Sequence, residues 1–115
     1  SGFSFTVAAP SIPLTFVSNS AVVYPDRVLV TATFWNGTGQ AATITSRGLV
    51  SGAVTAYVTG GTCVPGSSLA SGASCTVVIY AERGCVGYTV AATVRTAGVV
   101  AYGGAYSVPT VGICE

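Results

Sequence analysis

The chain has 115 residues, of which 50% are hydrophobic and only 6% are charged, and its net charge is +1. In globular proteins about a quarter of all residues are usually charged. A net charge this small gives no field that would steer nucleic acid or an anionic lipid surface. No apolar run approaches the ~18 residues of a membrane-spanning helix. We therefore expect one domain with a real core, no nucleic-acid partner and no membrane insertion.

The first segment reads SGFSFTVAAP, in which apolar and small side chains alternate. One face carries Phe3, Phe5 and Val7, as in a strand that packs on one side only. Pro10 and Pro13 follow, and they restrict the chain to extended conformations and interrupt a ladder. Neither a leader nor an initiator Met is visible, so we expect a mature chain whose leader has been removed.

The next apolar residues predict short strands at 12–16 and 22–24, with a turn at VSNSA between them. The clearest strand is RVLVTATFW. Its two faces alternate strictly, with one face formed by Val28, Val30, Ala32 and Phe34 and the other by Leu29, Thr31, Thr33 and Trp35. NGTGQ then has the composition of a turn that takes positive φ at little cost.

The second half of the chain continues this pattern of short strands and turns. AATITS and AVTAYV predict two strands, and GGTCVPGSSLASGASC predicts a loop anchored by Leu69. In CTVVIYA and GYTVAATVR the predicted inward residues are Cys75, Val77 and Ile79, then Tyr88, Val90, Ala92 and Val94. The last strands lie within 98–108 and are broken at Gly103 and Gly104. Seven to nine short strands without helical periodicity predict an all-β fold, an antiparallel β-sandwich.

The cysteines indicate an exported protein. There are four of them and no His, and the close pairs typical of a Cys-only zinc site are missing, so two disulfides are expected rather than a metal. Asn36, Gly37 and Thr38 form an N-glycosylation sequon in a predicted turn, and we expect Asn36 to be a glycosylation site.

Two stretches carry a resemblance to a known family. TCVPGSSLASGASCTVVIYAERG resembles a segment of bacterial and archaeal immunoglobulin-like domains of the hydin and choice-of-anchor type, and RVLVTATFWNGTGQAATITS is similar to their earlier strand pair. The resemblance implies an immunoglobulin-like sandwich in which Cys63 pairs with Cys75. Cys85 and Cys114 then remain as the second pair, although the family does not supply that bridge.

The residues of acid–base and nucleophilic catalysis are nearly absent. Without His or Lys, the ionisable side chains include the acids Asp26, Glu82 and Glu115, which we expect to be solvated turn charges. We therefore predict no catalytic residue, no cofactor, no metal and no enzymatic activity. An aromatic platform for sugars is an open alternative, with Trp35 the best candidate among Trp35, Tyr57, Tyr80, Tyr88, Tyr102 and Tyr106.

So few charges, and no Lys to guard an edge strand, favour association with identical copies. The two-faced first segment can add to the sheet of a neighbour as a donor strand, an arrangement similar to pilin and thread subunits of bacterial and archaeal surface filaments. We therefore expect residues 1–9 to be a donor strand and residues 10–115 a sandwich domain. The expected function is an extracellular homopolymeric filament for adhesion or biofilm formation. The alternative is an accessory immunoglobulin-like module of a surface protein, with surface glycans as its partner. In that alternative residues 3–7 are its own strand A.

Overall fold

The fold is that of a computed structural model that describes residues 12–52, 55–112 and 114. Within these ranges the chain forms strands and connections and no helix. The predicted assembly residues Phe3, Phe5 and Val7 lie outside the described residues. The strands are β1 (Thr15–Val23), β2 (Arg27–Trp35), β3 (Ala42–Ser51), β4 (Ala56–Gly60), β5 (Ser68–Leu69), β6 (Ser74–Glu82), β7 (Tyr88–Thr96), β8 (Val99–Tyr102) and β9 (Tyr106–Val108).

The strands form two antiparallel sheets. The first has the order β1-β2-β6-β4, and the second has the order β5-β3-β7-β8. The short strand β9 also pairs with β7, along its first residues Tyr88 to Val90. Every strand pair in both sheets is antiparallel. The prediction of an all-β antiparallel fold is confirmed.

One hydrophobic core joins the two sheets. The alternating residues of β2, β6 and β7 supply most of it, and these are Val28, Val30, Ala32, Phe34, Cys75, Val77, Ile79, Val90, Ala92 and Val94. The inward faces predicted for these three strands are therefore confirmed, with Tyr88 only partly buried beside the core. The rings of Phe16 and Phe34 meet edge to face with centroids 5.8 Å apart, which closes the core between β1 and β2.

The prediction for β1 was wrong, because VSNSA is strand and not turn. A bulge between Phe16 and Ser18 keeps β1 paired with β2 through this polar stretch. The side-chain amide of Asn19 donates to the carbonyl of Gly104 at 2.9 Å. This hydrogen bond links β1 of the first sheet to the connection between β8 and β9 of the second. A Cβ on Gly104 would lie 2.9 Å from the Phe16 ring, which explains the glycines that interrupt the last two strands.

β3 extends five residues beyond the predicted AATITS, through Arg47 to Ser51. The guanidinium of Arg47 donates to the carbonyls of Gly61 and Cys63 at 3.2 and 3.3 Å. A charged side chain is tolerated in the middle of this strand because backbone carbonyls of the loop after β4 accept its hydrogen bonds.

The β7–β8 hairpin gives a first prediction. Its two central residues both have positive φ, 44° at Ala97 and 81° at Gly98, as a type I′ turn requires. A Cβ in this region costs about 1–2 kcal/mol, and asparagine tolerates it better than alanine. We expect Ala97→Asn to raise the free energy of unfolding by about 0.5–1 kcal/mol in denaturant titrations. The matched change Gly98→Ala should lower it, and an Ala97→Asn variant less stable than the parent would contradict this reading of the turn.

Candidate functional site

Four of the charged side chains gather at one end of the molecule. Arg27 donates to the carboxylate of Asp26 at 2.7 Å, and its guanidinium lies 4.2 Å from the centre of the Tyr24 ring. Glu82 lies opposite Arg27 in the β2–β6 register. In the part of the chain that the structure describes, no group of three His, Cys, Asp or Glu residues could hold a metal ion. The ion pair of Arg27 and Asp26 is largely exposed, so it stabilises that end of the fold only weakly.

Arg83 joins three distant parts of the chain. Its guanidinium donates to the carbonyls of Tyr24 at 2.6 Å, Thr110 at 2.6 Å and Pro109 at 3.1 Å. The planar fork of arginine suits several carbonyl acceptors at once. Arg83 therefore fixes the β1–β2 turn and the segment after β9 against the β6–β7 connection.

Both pairs of cysteines are bonded as the sequence predicted. Cys63 is joined to Cys75 with the two Cα atoms 5.0 Å apart, and Cys85 is joined to Cys114 at 5.5 Å. Cys63 and Cys75 lie in the core at 0% and 2% exposure, whereas Cys85 and Cys114 are exposed. Two disulfides fit a secreted or extracellular protein. Separately, no helix among the described residues is long and apolar enough to cross a membrane.

Asn36 is hydrogen-bonded through both its side chain and its backbone. Its amide nitrogen donates to the carbonyls of Gln40 at 2.7 Å and Leu69 at 2.9 Å. Its side-chain oxygen accepts from the backbone N–H and the hydroxyl of Thr38 at 3.1 and 2.7 Å. Its backbone bonds Gly72 and Ala73 of the loop before β6. This one side chain thus ties the end of β2 to β5 of the other sheet.

Glycosylation of Asn36 stays a prediction, and the geometry of the folded chain disfavours it. Asn36 is 0% exposed, and both hydrogens of its amide are donated to carbonyls. A glycan on this nitrogen would have to displace the β2–β3 turn. The sequon residues Asn36 and Thr38 instead form an Asx-type turn, which is the structural use of the same residues.

Trp35 directly precedes Asn36 and lies at the surface. Its side chain points to the face of β2 opposite to that of the buried Phe34, as predicted. Its indole N–H donates to the carbonyl of Gly72 at 3.0 Å. A Cβ on Gly37 would fall 2.3 Å from the six-membered ring, so the ring lies directly against that glycine. The residue is nevertheless 42% exposed, so its ring is both held in place and accessible.

The tyrosines do not join Trp35 in a platform. Tyr57 and Tyr80 stack on each other, with ring centroids 5.0 Å apart and planes 19° apart, so each ring has one face covered. The Tyr88 hydroxyl donates to the carbonyl of Glu82. Tyr102 and Tyr106 belong to β8 and β9 of the second sheet. The predicted platform residues therefore lie on two sheets, and within the first sheet Tyr80 pairs with Leu29, six residues along β2 from Trp35.

An apolar row crosses the outer face of the first sheet instead. Val22 lies opposite Leu29, Leu29 opposite Tyr80, and Tyr80 opposite Tyr57. The two ends of the row, Val22 and Tyr57, are 54% and 55% exposed. Only the register of four strands brings these residues together, so sequence reasoning could list them as outward-facing but not as neighbours.

Comparisons with known proteins add one finding about the fold. Neither the protein-family models nor the curated proteins contain a match to this sequence. Among solved structures, the chain is similar to a secreted serine protease, VesC from Vibrio cholerae, with a TM-score of 0.52 and 24% sequence identity. The match covers 74% of this chain and 22% of the protease chain, so this chain spans about a fifth of that structure.

This finding corrects the prediction of no enzymatic activity. The prediction used the near absence of proton-transferring residues to exclude enzymes altogether, whereas a fold of this kind forms part of a secreted protease. A likeness at 24% identity shows the fold alone. A scarcity of His, Lys and acids within one domain therefore does not exclude that the domain belongs to an enzyme.

Proposed function

We propose that this chain is an immunoglobulin-like subunit of an extracellular filament that polymerises by donor-strand complementation. In this proposal residues 1–9 leave their own domain and add to the sandwich of an adjacent copy. Such an insertion is head-to-tail, so it propagates as an open filament unless the rotation closes a ring. A filament of this kind would serve adhesion or biofilm formation.

The strand order supports the immunoglobulin-like part of the proposal. Constant-type immunoglobulin domains pair strands ABED in one sheet and CFG in the other. The orders β1-β2-β6-β4 and β3-β7-β8 correspond to these two sheets, with β5 and β9 as short additions. Tyr88, at the start of β7, donates its hydroxyl proton to the carbonyl of Glu82 six residues upstream, as a tyrosine corner does at the start of strand F.

The observation that supports the donor-strand proposal most directly is the position of β1 at the edge of the first sheet, beside β2. In the alternative reading, residues 3–7 are strand A of their own sandwich. The strand-A position beside β2 is filled by Thr15–Val23. With that position filled, the proposal takes the two-faced segment FSFTV as an additional strand, and pairing with another copy would bury its apolar face.

The charge distribution supports the same proposal. The outer face of the first sheet carries the row of Val22, Leu29, Tyr80 and Tyr57, and its charged residues Arg27 and Glu82 lie together at one end. Surfaces of this kind are rare on small monomers and common where copies associate. Burying Phe3, Phe5 and Val7 in a neighbour would stabilise each junction by about 5–8 kcal/mol before ordering costs.

The test compares the two faces of the donor segment. We expect Phe5→Asp to abolish assembly of the full chain, because it places a carboxylate among apolar groups. The matched change Thr6→Asp, on the opposite face, should leave filaments intact in negative-stain electron microscopy. A chain that lacks residues 1–9 should remain monomeric and bind a synthetic SGFSFTVAA peptide. Normal filaments from the truncated chain would overturn the proposal.

A second candidate is an accessory module of a larger secreted protein, and the comparison favours it. The fold matches about a fifth of a secreted protease, so similar domains occur as parts of longer chains. On this reading the chain is a monomer at high concentration, and neither Phe5→Asp nor Thr6→Asp changes its mass in light scattering. The same two variants therefore separate the candidates.

A further inference from the structure

We propose that the exposed side of the Trp35 indole is a binding site for neutral carbohydrates. This inference goes beyond assembly, because it gives the filament or module a ligand. The site lies on the outer face of the first sheet, at the end opposite the charged cluster of Asp26, Arg27, Glu82 and Arg83. Three features of the patch favour such a ligand: a fixed ring, neighbouring hydroxyls and the lack of charge on the residues that form it.

The ring is held before any ligand arrives. The hydrogen bond from the indole N–H to the carbonyl of Gly72, 3.0 Å long, fixes one edge. The position of Gly37 fixes another, since only a residue without Cβ leaves space for the ring. Gly72 belongs to the network of Asn36, whose backbone carbonyl accepts from the N–H of Gly72, and Gly37 directly follows Asn36 in the chain. A ligand that stacks on this ring spends little conformational entropy in ordering it.

The surroundings of the ring are hydroxyl-rich. In the sheet register Trp35 lies between Thr15 and Ser74, and the next outward position, Thr33, lies between Ser18 and Thr76. The hydroxyl of Thr76 is hydrogen-bonded to Thr62. Within the described part of the chain the hydroxyls of Ser18, Thr33 and Ser74 make no hydrogen bond, so they are available to a ligand.

The chemistry of this patch selects a neutral sugar. The face of an indole carries negative charge density that attracts the weakly positive C–H groups on the face of a pyranose ring. Serine and threonine hydroxyls both donate and accept, as sugar hydroxyls do. None of the residues of the patch is charged, so a uronic acid or sialic acid gains nothing over its neutral counterpart.

The full-length chain can report its own binding, because Trp35 is its single tryptophan. Cellohexaose, mannohexaose and maltohexaose are titrated while the tryptophan emission is followed, and calorimetry measures the variants. We expect saturable binding of at least one of them, with a dissociation constant on the order of 1 mM. Trp35→Ala should weaken it at least about tenfold. Gly37→Ala should weaken it too, because it displaces the ring and keeps the indole.

The control is Tyr102→Ala, an exposed aromatic on the other sheet, which should bind like the parent. Circular dichroism verifies that each variant is folded. Binding that Trp35→Ala leaves unchanged, or no binding of any of the three sugars up to about 10 mM, would overturn the assignment. Because Phe5 is not one of the residues that define this patch, the assembly variants and the sugar-binding variants are different, and failure of assembly and failure of sugar binding are distinguishable.

Discussion

Replacement of Asn36 by alanine is expected to lower the free energy of unfolding by about 3–5 kcal/mol. The variant removes two donors and one acceptor at a buried position, and it leaves the carbonyls of Gln40 and Leu69 without the amide that binds them. A buried polar group without a partner costs about 1–3 kcal/mol. Urea titration of the purified variant measures the change in midpoint.

Thr38→Val is the matched control for this prediction. It removes the hydroxyl bonds of Thr38 to the Asn36 oxygen and to the backbone of Gln40 and leaves the amide donors of Asn36 in place. Its cost should therefore be smaller, about 1–2 kcal/mol. It also destroys the sequon, and we expect no change in the mass of protein from a glycosylating host. An Asn36→Ala variant within about 0.5 kcal/mol of the parent, or a glycan on Asn36 of the folded chain, would show that the network is misassigned.

Selective reduction of the two disulfides is the second large effect that we expect. Under native conditions dithiothreitol should reduce the exposed Cys85–Cys114 bridge well before Cys63–Cys75, whose sulfurs lie in the core at 0% and 2% exposure. The Cys85–Cys114 bridge joins residues 29 positions apart. Its loss should lower the free energy of unfolding by about 3–4 kcal/mol on the loop-entropy model. The buried bridge should react only when the domain unfolds.

Alkylation at timed intervals, followed by peptide mass mapping, measures both rates. The double variant Cys85→Ser/Cys114→Ser provides the stability of the singly bridged chain without a reductant. Equal rates of reduction would contradict the placement of Cys63 and Cys75 in the core. A stability unchanged in the double variant would contradict the role assigned to the bridge, which holds the segment after β9 beside Arg83.

The strand faces were predictable because alternation is local information. In β2, β6 and β7 the apolar residues recur at every second position, and all the residues so predicted except Tyr88 are fully buried. β1 was mispredicted for the opposite reason. VSNSA has turn composition, yet a bulge and the bond from Asn19 to Gly104 keep it in the sheet. That bond joins residues 85 positions apart, and a local pattern carries no signal of it.

The candidate site was predictable only in part. Trp35 was singled out because it faces away from Phe34, and the structure agrees. The role of Asn36 was missed because the sequence shows a sequon and not the Leu69 carbonyl that lies 33 residues away. The carbonyl partners of Arg83 belong to two distant segments, so charge pairing along the sequence could not indicate them.

The position of residues 3–7 in an assembled filament tests the central claim most directly. Cryo-electron microscopy of filaments grown from the full chain would trace each subunit from its first strand. Donor-strand complementation predicts that the density of Phe3, Phe5 and Val7 lies in a neighbouring subunit, as an added strand with these side chains toward that subunit's core. Density for FSFTV paired within its own domain, or a full chain that stays monomeric at high concentration, would contradict it.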